Sequence, residues 1–286
     1  MRRGTFIISI DYEYAWGFTD WNLTSADFER MRGEAAITKK LLKSFETYNV
    51  PATWAIVAHL LEKDFHGDDL AWYDAEHLVD AIASSPAGHE IASHSFEHTL
   101  FDAASRDVAL ADIRRAKAIH EARGFPFASF IFPRNKEGHY DVLKENGIRA
   151  YRGVTKTWYD RFPKITKPLW RGLDFWLPIA RTHTPRRHES GLLNIPDSLF
   201  FITRRGLQKL LPPSQLVRKM RYGIDEAVTR GEVFHLWFHP SNFSYDTETQ
   251  LKIFERVLAH ACSLRDKGLL DIVTMKEYTE QVSKTT

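Results

Sequence analysis

The chain has 286 residues, of which 43% are hydrophobic and 27% are charged, a composition typical of a globular enzyme. This length allows one large α/β domain or two modest ones. The net charge of +2 gives no reason to expect a nucleic-acid partner. Cys262 is the only cysteine, which excludes an intramolecular disulfide and a zinc site built from thiolates. Any metal site must therefore use histidine and carboxylate ligands.

The amino-terminal segment, from Met1 to Asp11, carries a short apolar run that ends in a carboxylate. This run is too short for the apolar core of a signal peptide. No part of the sequence approaches the ~20 consecutive apolar residues that a membrane span needs. We therefore expect a cytoplasmic protein with no integral membrane segment, and the sequence leaves its oligomeric state open.

The first elements of the chain predict a parallel sheet. Residues 5–10 form a β-branched and aromatic run, which is typical of a buried strand. Residues 26–48 show helical spacing of apolar side chains, and a second strand follows at residues 52–57. The predicted inner face of the helix consists of Phe28, Met31, Ile37, Leu41, Leu42 and Phe45. A strand–helix–strand order indicates parallel strands that are covered by helices.

The same alternation continues along the rest of the chain. Further strands are predicted at residues 88–92, 129–132, 149–153, 233–238 and 269–273. Helices are predicted at residues 103–123, 140–146, 216–229 and 247–265, with a short one from Met275. Residues 158–213 are rich in proline, aromatic and basic side chains, which indicates a looser insertion. We expect residues 1–286 to form a single catalytic domain that contains this insertion.

Clusters of polar side chains follow the ends of four predicted strands. Active sites of α/β barrels lie at the carboxyl ends of their strands, so a closed or nearly closed barrel is favoured over an open sheet. The first cluster contains Asp11 and Glu13, which project to the same face of a strand. Two carboxylates this close are unfavourable unless a cation or a shared proton offsets their repulsion. The alternative is that one of them caps a following turn or helix.

The second cluster contains His89, His94 and His98. His94 and His98 are four residues apart, so a single helical turn would bring both rings to one face, where they can share a cation. His89 and Glu90 lack the zincin spacing relative to His94, and we interpret them as structural. A histidine pair of this spacing is often accidental, but its place after a strand and opposite two carboxylates favours a metal site.

The third and fourth clusters add an arginine and two further histidines. Arg134, next to Asn135, follows a strand, where it can orient a carboxylate through a bidentate hydrogen bond; a surface arginine after a turn is the alternative. His235, Trp237 and His239 share one face of a strand, and we expect one of the two histidines to belong to the core. The four clusters together suffice for metal-assisted amide hydrolysis.

These motifs resemble those of the polysaccharide deacetylase family, also called the NodB-homology family or carbohydrate esterase family four. The most specific is His94-Ser-Phe-Glu-His98, preceded by Gly88-His-Glu-Ile-Ala-Ser, which is similar to the family's His-[Ser/Thr]-x-x-His metal motif. Ser9-Ile-Asp11-Tyr-Glu13 resembles the first motif, Phe132-Pro-Arg134 the arginine motif and Leu236-Trp-Phe-His239 the terminal motif. The resemblance runs from Thr5 to about Val273 and implies an α/β fold, a distorted (β/α) barrel of about seven strands.

Two motifs depart from the family pattern. The usual Asp-Asp pair is replaced by Asp11-Tyr-Glu13, and the arginine motif reads Pro133-Arg-Asn135 where the family has Arg-Pro-Pro. Together with the terminal motif, these variants resemble a subgroup associated with bacterial surface-glycan synthesis.

The resemblance implies a hydrolase of carbon–nitrogen bonds that depends on a divalent metal. We assign His94, His98 and Glu13 as the metal ligands. Asp11 and Glu13 can exchange roles in this assignment, and Asn135 can also reach the metal. Zinc suits these ligands best, while manganese, cobalt, nickel and iron are also compatible.

In this hypothesis Asp11 is the general base, Arg134 orients it, and His239 protonates the leaving nitrogen. The substrate would be an N-acyl, in particular N-acetyl, amino sugar of a surface glycan or its precursor. Several aromatic side chains would either stack on the sugar or pack in the core: Tyr12, Tyr14, Trp16, Phe96, Trp237 and Phe243. Basic side chains near the insertion would either bind a pyrophosphate or form a solvated face: Arg181, Arg186, Arg187, Arg204 and Arg205.

Three other functions are compatible with parts of the sequence. The first is another C–N hydrolase on the same scaffold, such as an allantoinase-like or deformylase enzyme. The second is a catalytically silent glycan-binding homologue, although such a protein would not need His94, His98 and His239 together. The third is a glycosidase that uses Asp11 and Glu13, which predicts hydrolysis that survives a chelator.

Overall fold

The computed structural model describes residues 3–18, 24, 33–62, 75–177, 179 and 181–285. The strands are β1 (Gly4–Tyr12), β2 (Thr53–Ile56), β3 (Glu90–Ser93), β4 (Ser129–Ile131), β5 (Ala150–Arg152), β6 (Arg186–Arg187), β7 (Leu193–Asn194), β8 (Leu199–Phe200), β9 (Val233–Phe238) and β10 (Leu270–Ile272). The α-helices are α1 (Glu34–Tyr48), α2 (Glu76–Ala83), α3 (Arg106–Ala122), α4 (Tyr140–Glu145), α5 (Lys167–Asp174), α6 (Pro213–Arg230), α7 (Thr247–Asp266) and α8 (Met275–Thr285). Among the described residues, none of the helices is long and apolar enough to cross a membrane.

These strands form one sheet with a parallel centre. Its order is β6-β7-β5-β4-β3-β2-β1-β9-β8, and β10 pairs with the amino-terminal part of β1. The long central strand β1 runs parallel to β2, β9 and β10, whereas β6 is antiparallel to β7. Because neighbouring parallel strands end at the same edge, the residues that follow β1, β3 and β9 are brought to one side of the sheet.

One segment, residues 193–200, bridges the two ends of the parallel sheet. Its first half pairs with β5, since the amide of Ile195 donates to the carbonyl of Tyr151. Its second half pairs with β9, since the amide of Ser198 donates to the carbonyl of His235. The sheet therefore curls into a distorted barrel, and this bridging segment closes it.

The predicted α/β barrel is confirmed, with ten strands in the sheet in place of about seven. The three additional strands are short: β6 forms a hairpin with β7, and the bridging segment is divided into β7 and β8. β10, which lies beside β1, is the strand predicted at residues 269–273. When this segment is taken as one strand, the barrel wall consists of β1, β2, β3, β4, β5, the bridging segment and β9, with β10 beside β1.

The predicted helices and strands occur in the expected order and differ at their ends. The described part of the first helix begins at Glu34, and the predicted core residues Phe28 and Met31 lie outside the described residues. Ile37 and Leu41 are buried in the core, as predicted for the inner face. Residues 158–213 contain α5 and the short strands β6, β7 and β8.

The two faces of β1 belong to different parts of the core. Phe6, Ile8 and Ile10 pack in the large core that also contains residues of α1, α6 and α7. Ile7 belongs to a smaller core inside the barrel. Because side chains alternate along a strand, Asp11 projects to the same inner face as Ile7.

Candidate functional site

Asp11 and Glu13 lie at the carboxyl end of β1, and both are buried. Asp11 is 3% exposed and Glu13 is 7% exposed. Gly17 allows Glu13 to occupy its position, because a Cβ atom at residue 17 would lie 2.2 Å from Oε1 of that carboxylate. The two carboxylates therefore enter the barrel mouth, as the spacing along the strand predicted.

His94 and His98 lie in the loop that follows β3. Ser95 has a φ of 67° and His98 a φ of 58°, both in the left-handed region. The loop therefore bends sharply between the two histidines and brings their ring centroids to 5.1 Å. The two rings do meet, but the prediction of a helical turn between them is wrong.

Asp112 on α3 fixes the conformation of this loop. Its carboxylate accepts hydrogen bonds from the amides of Phe96 at 2.8 Å and Glu97 at 3.1 Å, and from the hydroxyl of Thr99 at 2.6 Å. Burial raises the pKa of Asp112, although the three hydrogen bonds favour its ionised form. Asp112 was not among the residues predicted for the site, and its one signal was a carboxylate on a mainly apolar face of a predicted helix.

Glu13, His94 and His98 form a group whose ligand atoms lie within 4.8 Å of one another. Oε2 of Glu13 is 3.3 Å from Nε2 of His94 and 3.0 Å from Nε2 of His98. Nδ1 of His94 donates to the carbonyl oxygen of Ile131 at 2.8 Å, because a carbonyl can only accept. In a neutral His94 ring, Nε2 therefore directs a lone pair at a carboxylate oxygen. A cation between these atoms would turn that repulsion into attraction.

This donor set fits a divalent metal. Two imidazole nitrogens and one carboxylate form a common zinc set, and a histidine ligand usually donates its other ring nitrogen to a carbonyl or carboxylate, as His94 does. Nε2 of His94 and Nε2 of His98 are buried, and neither has a hydrogen-bond partner among the residues that the structure describes. Burial alone would raise the pKa of Glu13, but the neighbouring imidazoles in their protonated form, His239 first and then His94 and His98, outweigh it and hold that pKa well below its usual value. Glu13 is therefore ionised, as a metal ligand must be.

Replacement of Gly17 by alanine is expected to weaken zinc binding roughly 10–100-fold, the cost of disturbing a group that positions a metal ligand. The new methyl group would displace the carboxylate of Glu13, which lies within 2.4 Å of the Cβ position. Calorimetric titration of Zn²⁺ into the two proteins measures the effect. Gly172→Ala is the matched control, because no atom of the described residues, apart from its own helix and the adjacent residues, lies within 4 Å of a Cβ at that position. Equal affinity in Gly17→Ala and wild type would mean that Glu13 does not hold the metal.

Asp11 is held by Arg152, at the carboxyl end of β5. Nη1 and Nη2 of Arg152 donate to the two carboxylate oxygens at 2.6 and 2.7 Å. Arg152 is 1% exposed and also donates to Ser9 and Asn135, while its guanidinium carbon lies 4.3 Å from the ring centroid of Trp237. Burial alone would raise the pKa of Asp11, but Arg152 outweighs it and lowers that pKa. Asp11 is therefore ionised and fixed in orientation.

Arg152 takes the role that the sequence analysis assigned to Arg134, and this assignment is corrected. Arg134 lies exposed at the rim of the site and donates to the carbonyl of Gly17 at 3.2 Å. Asn135, the alternative metal ligand, directs Oδ1 to Arg152 at 3.1 Å. The only sequence feature that pointed to Arg152 was its place in the strand predicted at residues 149–153. That strand contains none of the motifs that resemble the polysaccharide deacetylase family.

The two histidines at β9 have different environments. His235 is fully buried, its Nε2 lies 2.8 Å from the hydroxyl of Ser9, and burial lowers its pKa to about 3. His239 follows β9, and its Nε2 lies 3.4 Å from Oε1 of Glu13 and 3.8 Å from Oδ2 of Asp11. Its side chain is 23% exposed. His235 is therefore a neutral core residue, whereas His239 lies at the mouth of the site.

The polar groups open into a cavity of about 300 Å³. Its walls are formed by Asp11, Glu13, Gly17, Phe18, Arg134, Asn135, Phe200, Trp237, His239, Ser241 and Asn242. The ring centroids of Phe200 and Trp237 lie 4.6 Å apart on one wall. Several of the other aromatic residues that the sequence offered for sugar stacking are buried in the core: Tyr12, Tyr14, Phe96 and Phe243.

Known proteins resemble this chain in both sequence and fold. Residues 27–135 match the family model described as polysaccharide deacetylase, whereas no curated protein matches the sequence. A candidate polysaccharide deacetylase from Mycobacterium smegmatis is 15% identical with a TM-score of 0.69, over 100% of this chain and 92% of that chain. A candidate polysaccharide deacetylase from Pseudomonas aeruginosa PAO1 is 15% identical with a TM-score of 0.67, and the match covers 96% of this chain and 89% of that chain. Puue allantoinase is 13% identical with a TM-score of 0.65, and the match covers 98% of this chain and 90% of that chain.

The structural comparisons show a shared fold and nothing further, because the sequence identities to these solved structures are low. The family match adds the sequence signal, because it includes β2, β3 and the loop from His94 to His98 and ends at Asn135. The resemblance to this family is thereby confirmed, and the match includes the motifs at His94–His98 and Phe132–Arg134 but neither Asp11-Tyr-Glu13 nor the terminal motif. The chain is therefore similar to the polysaccharide deacetylase family in the sequence of residues 27–135 and in its fold.

Proposed function

We propose that this protein hydrolyses the N-acyl bond of an amino sugar with the help of a divalent metal. The observation that carries the proposal is the convergence of Glu13, His94 and His98 beside the ion pair of Asp11 and Arg152. The cavity would thus combine metal ligands with an oriented carboxylate. Similarity to the deacetylase family model over residues 27–135 supports the choice of an amide as the bond that is cleaved.

Glu13, His94 and His98 would hold the metal, and zinc suits two imidazoles and one carboxylate best. The chemistry that a divalent metal supplies in such a site is a water molecule of lowered pKa and a polarised acyl oxygen. Two contacts prepare the ligands: Asp112 fixes the loop that carries His98, and the carbonyl of Ile131 fixes the tautomer of His94.

Asp11 acts as the general base in this proposal. Arg152 keeps it ionised and holds both oxygens in one orientation. Each carboxylate oxygen has a further lone pair, which can accept the proton of the attacking water. The lowered pKa of Asp11 makes it a weak base, so its contribution depends on accurate placement beside the water.

His239 acts as the general acid. An amine is a poor leaving group unless it is protonated, so the departing nitrogen needs a proton donor. Nε2 of His239 lies at the mouth of the cavity, 3.4 Å from Glu13 and on the side of Asp11. A sugar bound in the cavity would therefore meet the two carboxylates and this imidazole together.

The lining of the cavity favours a small sugar substrate. Its volume of about 300 Å³ is at the lower end of the range for small-molecule sites. Phe200 and Trp237 offer ring faces, while Ser241 offers a hydroxyl group to the hydroxyls of the sugar. We assign the substrate as an N-acetyl amino sugar of a surface glycan or of its precursor.

A panel of amides tests this function. Zinc-loaded protein is incubated with N-acetylated and N-formylated amino sugars and with allantoin, and the released acid or ring-opened product is quantified. Acetate release from an N-acetyl amino sugar is expected, with a roughly 10²–10⁴-fold loss of rate in Asp11→Asn because the general base is removed. His77→Ala, an exposed position on α2, should retain the activity.

Other results of the panel would contradict the proposal. Turnover of allantoin alone would assign the protein to the alternative C–N hydrolases. Binding of an amino sugar without turnover of any amide would identify a silent glycan-binding protein.

A further inference from the structure

A second concave surface lies between α5 and the short helix at Gly206–Leu210. It has a volume of about 1050 Å³. Its lining consists of apolar and basic side chains with few neutral polar ones: Lys164, Lys167, Leu169, Arg171, Gly172, Leu173, Phe175, Trp176, Ile202, Arg205, Leu207, Gln208, Leu210 and Leu211. We call this surface the basic groove. None of the residues proposed for catalysis lines it.

Large apolar side chains are exposed on both sides of the basic groove. Leu169 on α5 is 63% exposed, and Leu207 and Leu210 on the facing helix are 84% and 76% exposed. Trp176 is 50% exposed and Ile165, beside the groove, is 90% exposed. Single apolar residues on a surface are ordinary, but a contiguous patch of this kind marks an interaction surface.

The charged side chains that line the groove are all basic. Segments 161–177 and 200–218 contain a single acid, Asp174, and this carboxylate is buried and paired with Lys219. Their basic residues are Arg161, Lys164, Lys167, Arg171, Arg204, Arg205, Lys209 and Arg218. Lys167 and Arg204 pair with acids of other segments, whereas Lys164 and Arg205 form no ion pair within the described residues. The groove therefore complements an anionic partner.

We propose that the basic groove docks this protein on the surface of an anionic lipid bilayer. Leu169 and Leu173 lie four residues apart on α5, and Trp176 lies in the turn directly after this helix, so the three side chains can enter the acyl boundary together. Lys164 and Arg205 then face the phosphates, and the indole of Trp176 suits the interface. A second copy of this chain would instead bring one basic surface against another, which opposes a dimer through this face.

The docking surface adjoins the candidate active site. Phe200 lines the cavity of that site, and Ile202, two residues further along the same segment, lines the basic groove. Vesicle binding can be measured without turnover of any amide. Its outcome is therefore independent of the function proposed above.

Co-sedimentation of the full chain with vesicles tests the proposal. Vesicles of phosphatidylglycerol and phosphatidylcholine in equal parts are compared with vesicles of phosphatidylcholine alone. We expect binding to the anionic vesicles that falls with added salt. Lys164→Gln and Arg205→Gln should each weaken it roughly five-fold, and the double variant Leu207→Ser/Leu210→Ser at least roughly tenfold.

Matched substitutions elsewhere serve as controls. Val108 and Leu269 are also exposed apolar residues, and Lys39 and Arg256 are exposed basic ones, all outside the groove. Val108→Ser/Leu269→Ser and Lys39→Gln/Arg256→Gln should bind vesicles like wild type. Absence of binding, or an equal loss in groove and control variants, would overturn the proposal. A dimer that Leu207→Ser/Leu210→Ser dissociates, seen by sedimentation velocity, would overturn it in favour of a second copy.

Discussion

Replacement of His98 by alanine is expected to lower the affinity for Zn²⁺ by more than roughly 100-fold and to abolish amide hydrolysis. Loss of a partner that merely orients a ligand already costs roughly 10–100-fold, and His98 would supply a ligand itself. Its Nε2 lies 3.0 Å from Oε2 of Glu13, in the middle of the proposed set. Glu13 and His94 alone are too few donors for the usual zinc site. Calorimetric titration of Zn²⁺ into chelator-stripped protein measures the affinity directly.

His77→Ala is the matched control for this titration, because His77 is exposed on α2 and outside the site. One-to-one binding that is retained in the control and lost in His98→Ala would establish the metal site. A wild-type protein that binds no zinc, manganese or cobalt would overturn the metal mechanism. Equal affinity of wild type and His98→Ala would place the metal on other residues.

The sequence was sufficient to select the residues of the proposed metal group, because each signal is local. Asp11 and Glu13 follow an obvious apolar strand, and His94 and His98 are close in sequence after another. The backbone that joins the histidines could not be predicted. Ser95 and His98 adopt left-handed conformations that are not signalled by glycine, and they do so in a loop held by hydrogen bonds to Asp112.

The partner of Asp11 could not be predicted because it depends on the curvature of the sheet. Arg152 is 141 positions away in sequence, and β2, β3 and β4 lie between β1 and β5 in the sheet order. In a flat sheet these two strand ends would be far apart. They meet only because the sheet curls, so neither spacing nor periodicity carries a signal for the pair.

The strands that could not be predicted from the sequence also depend on contacts between distant parts of the sheet. Strands with several consecutive apolar residues, such as β1 and β9, could be predicted from the sequence. The bridging segment, residues 193–200, could not, because β7 and β8 are two residues long and pair with different neighbours. Two residues are too few for a periodic pattern. The segment that closes the barrel therefore fell within the predicted insertion.

Replacement of Arg152 by glutamine is expected to destabilise the protein by about 3–5 kcal/mol, the usual cost of removing one partner of a buried ion pair. The carboxylate of Asp11 would remain in the barrel without the two short hydrogen bonds that now keep it ionised. Urea unfolding measures the change in the free energy of unfolding. Arg134→Gln is the control, since Arg134 is exposed and its loss should change stability by no more than about 0.5 kcal/mol.

The double variant Asp11→Asn/Arg152→Gln separates the charge pair from the packing around it. With both charges removed, no unpaired charge stays buried, so the double variant should be more stable than Arg152→Gln alone. Hydrolysis should be lost in both variants, because the first lacks the base and the second lacks its orientation. If the double variant is instead as unstable as the sum of the two single ones, Arg152 stabilises the barrel through Ser9, Asn135 and Trp237, and its pairing with Asp11 contributes little.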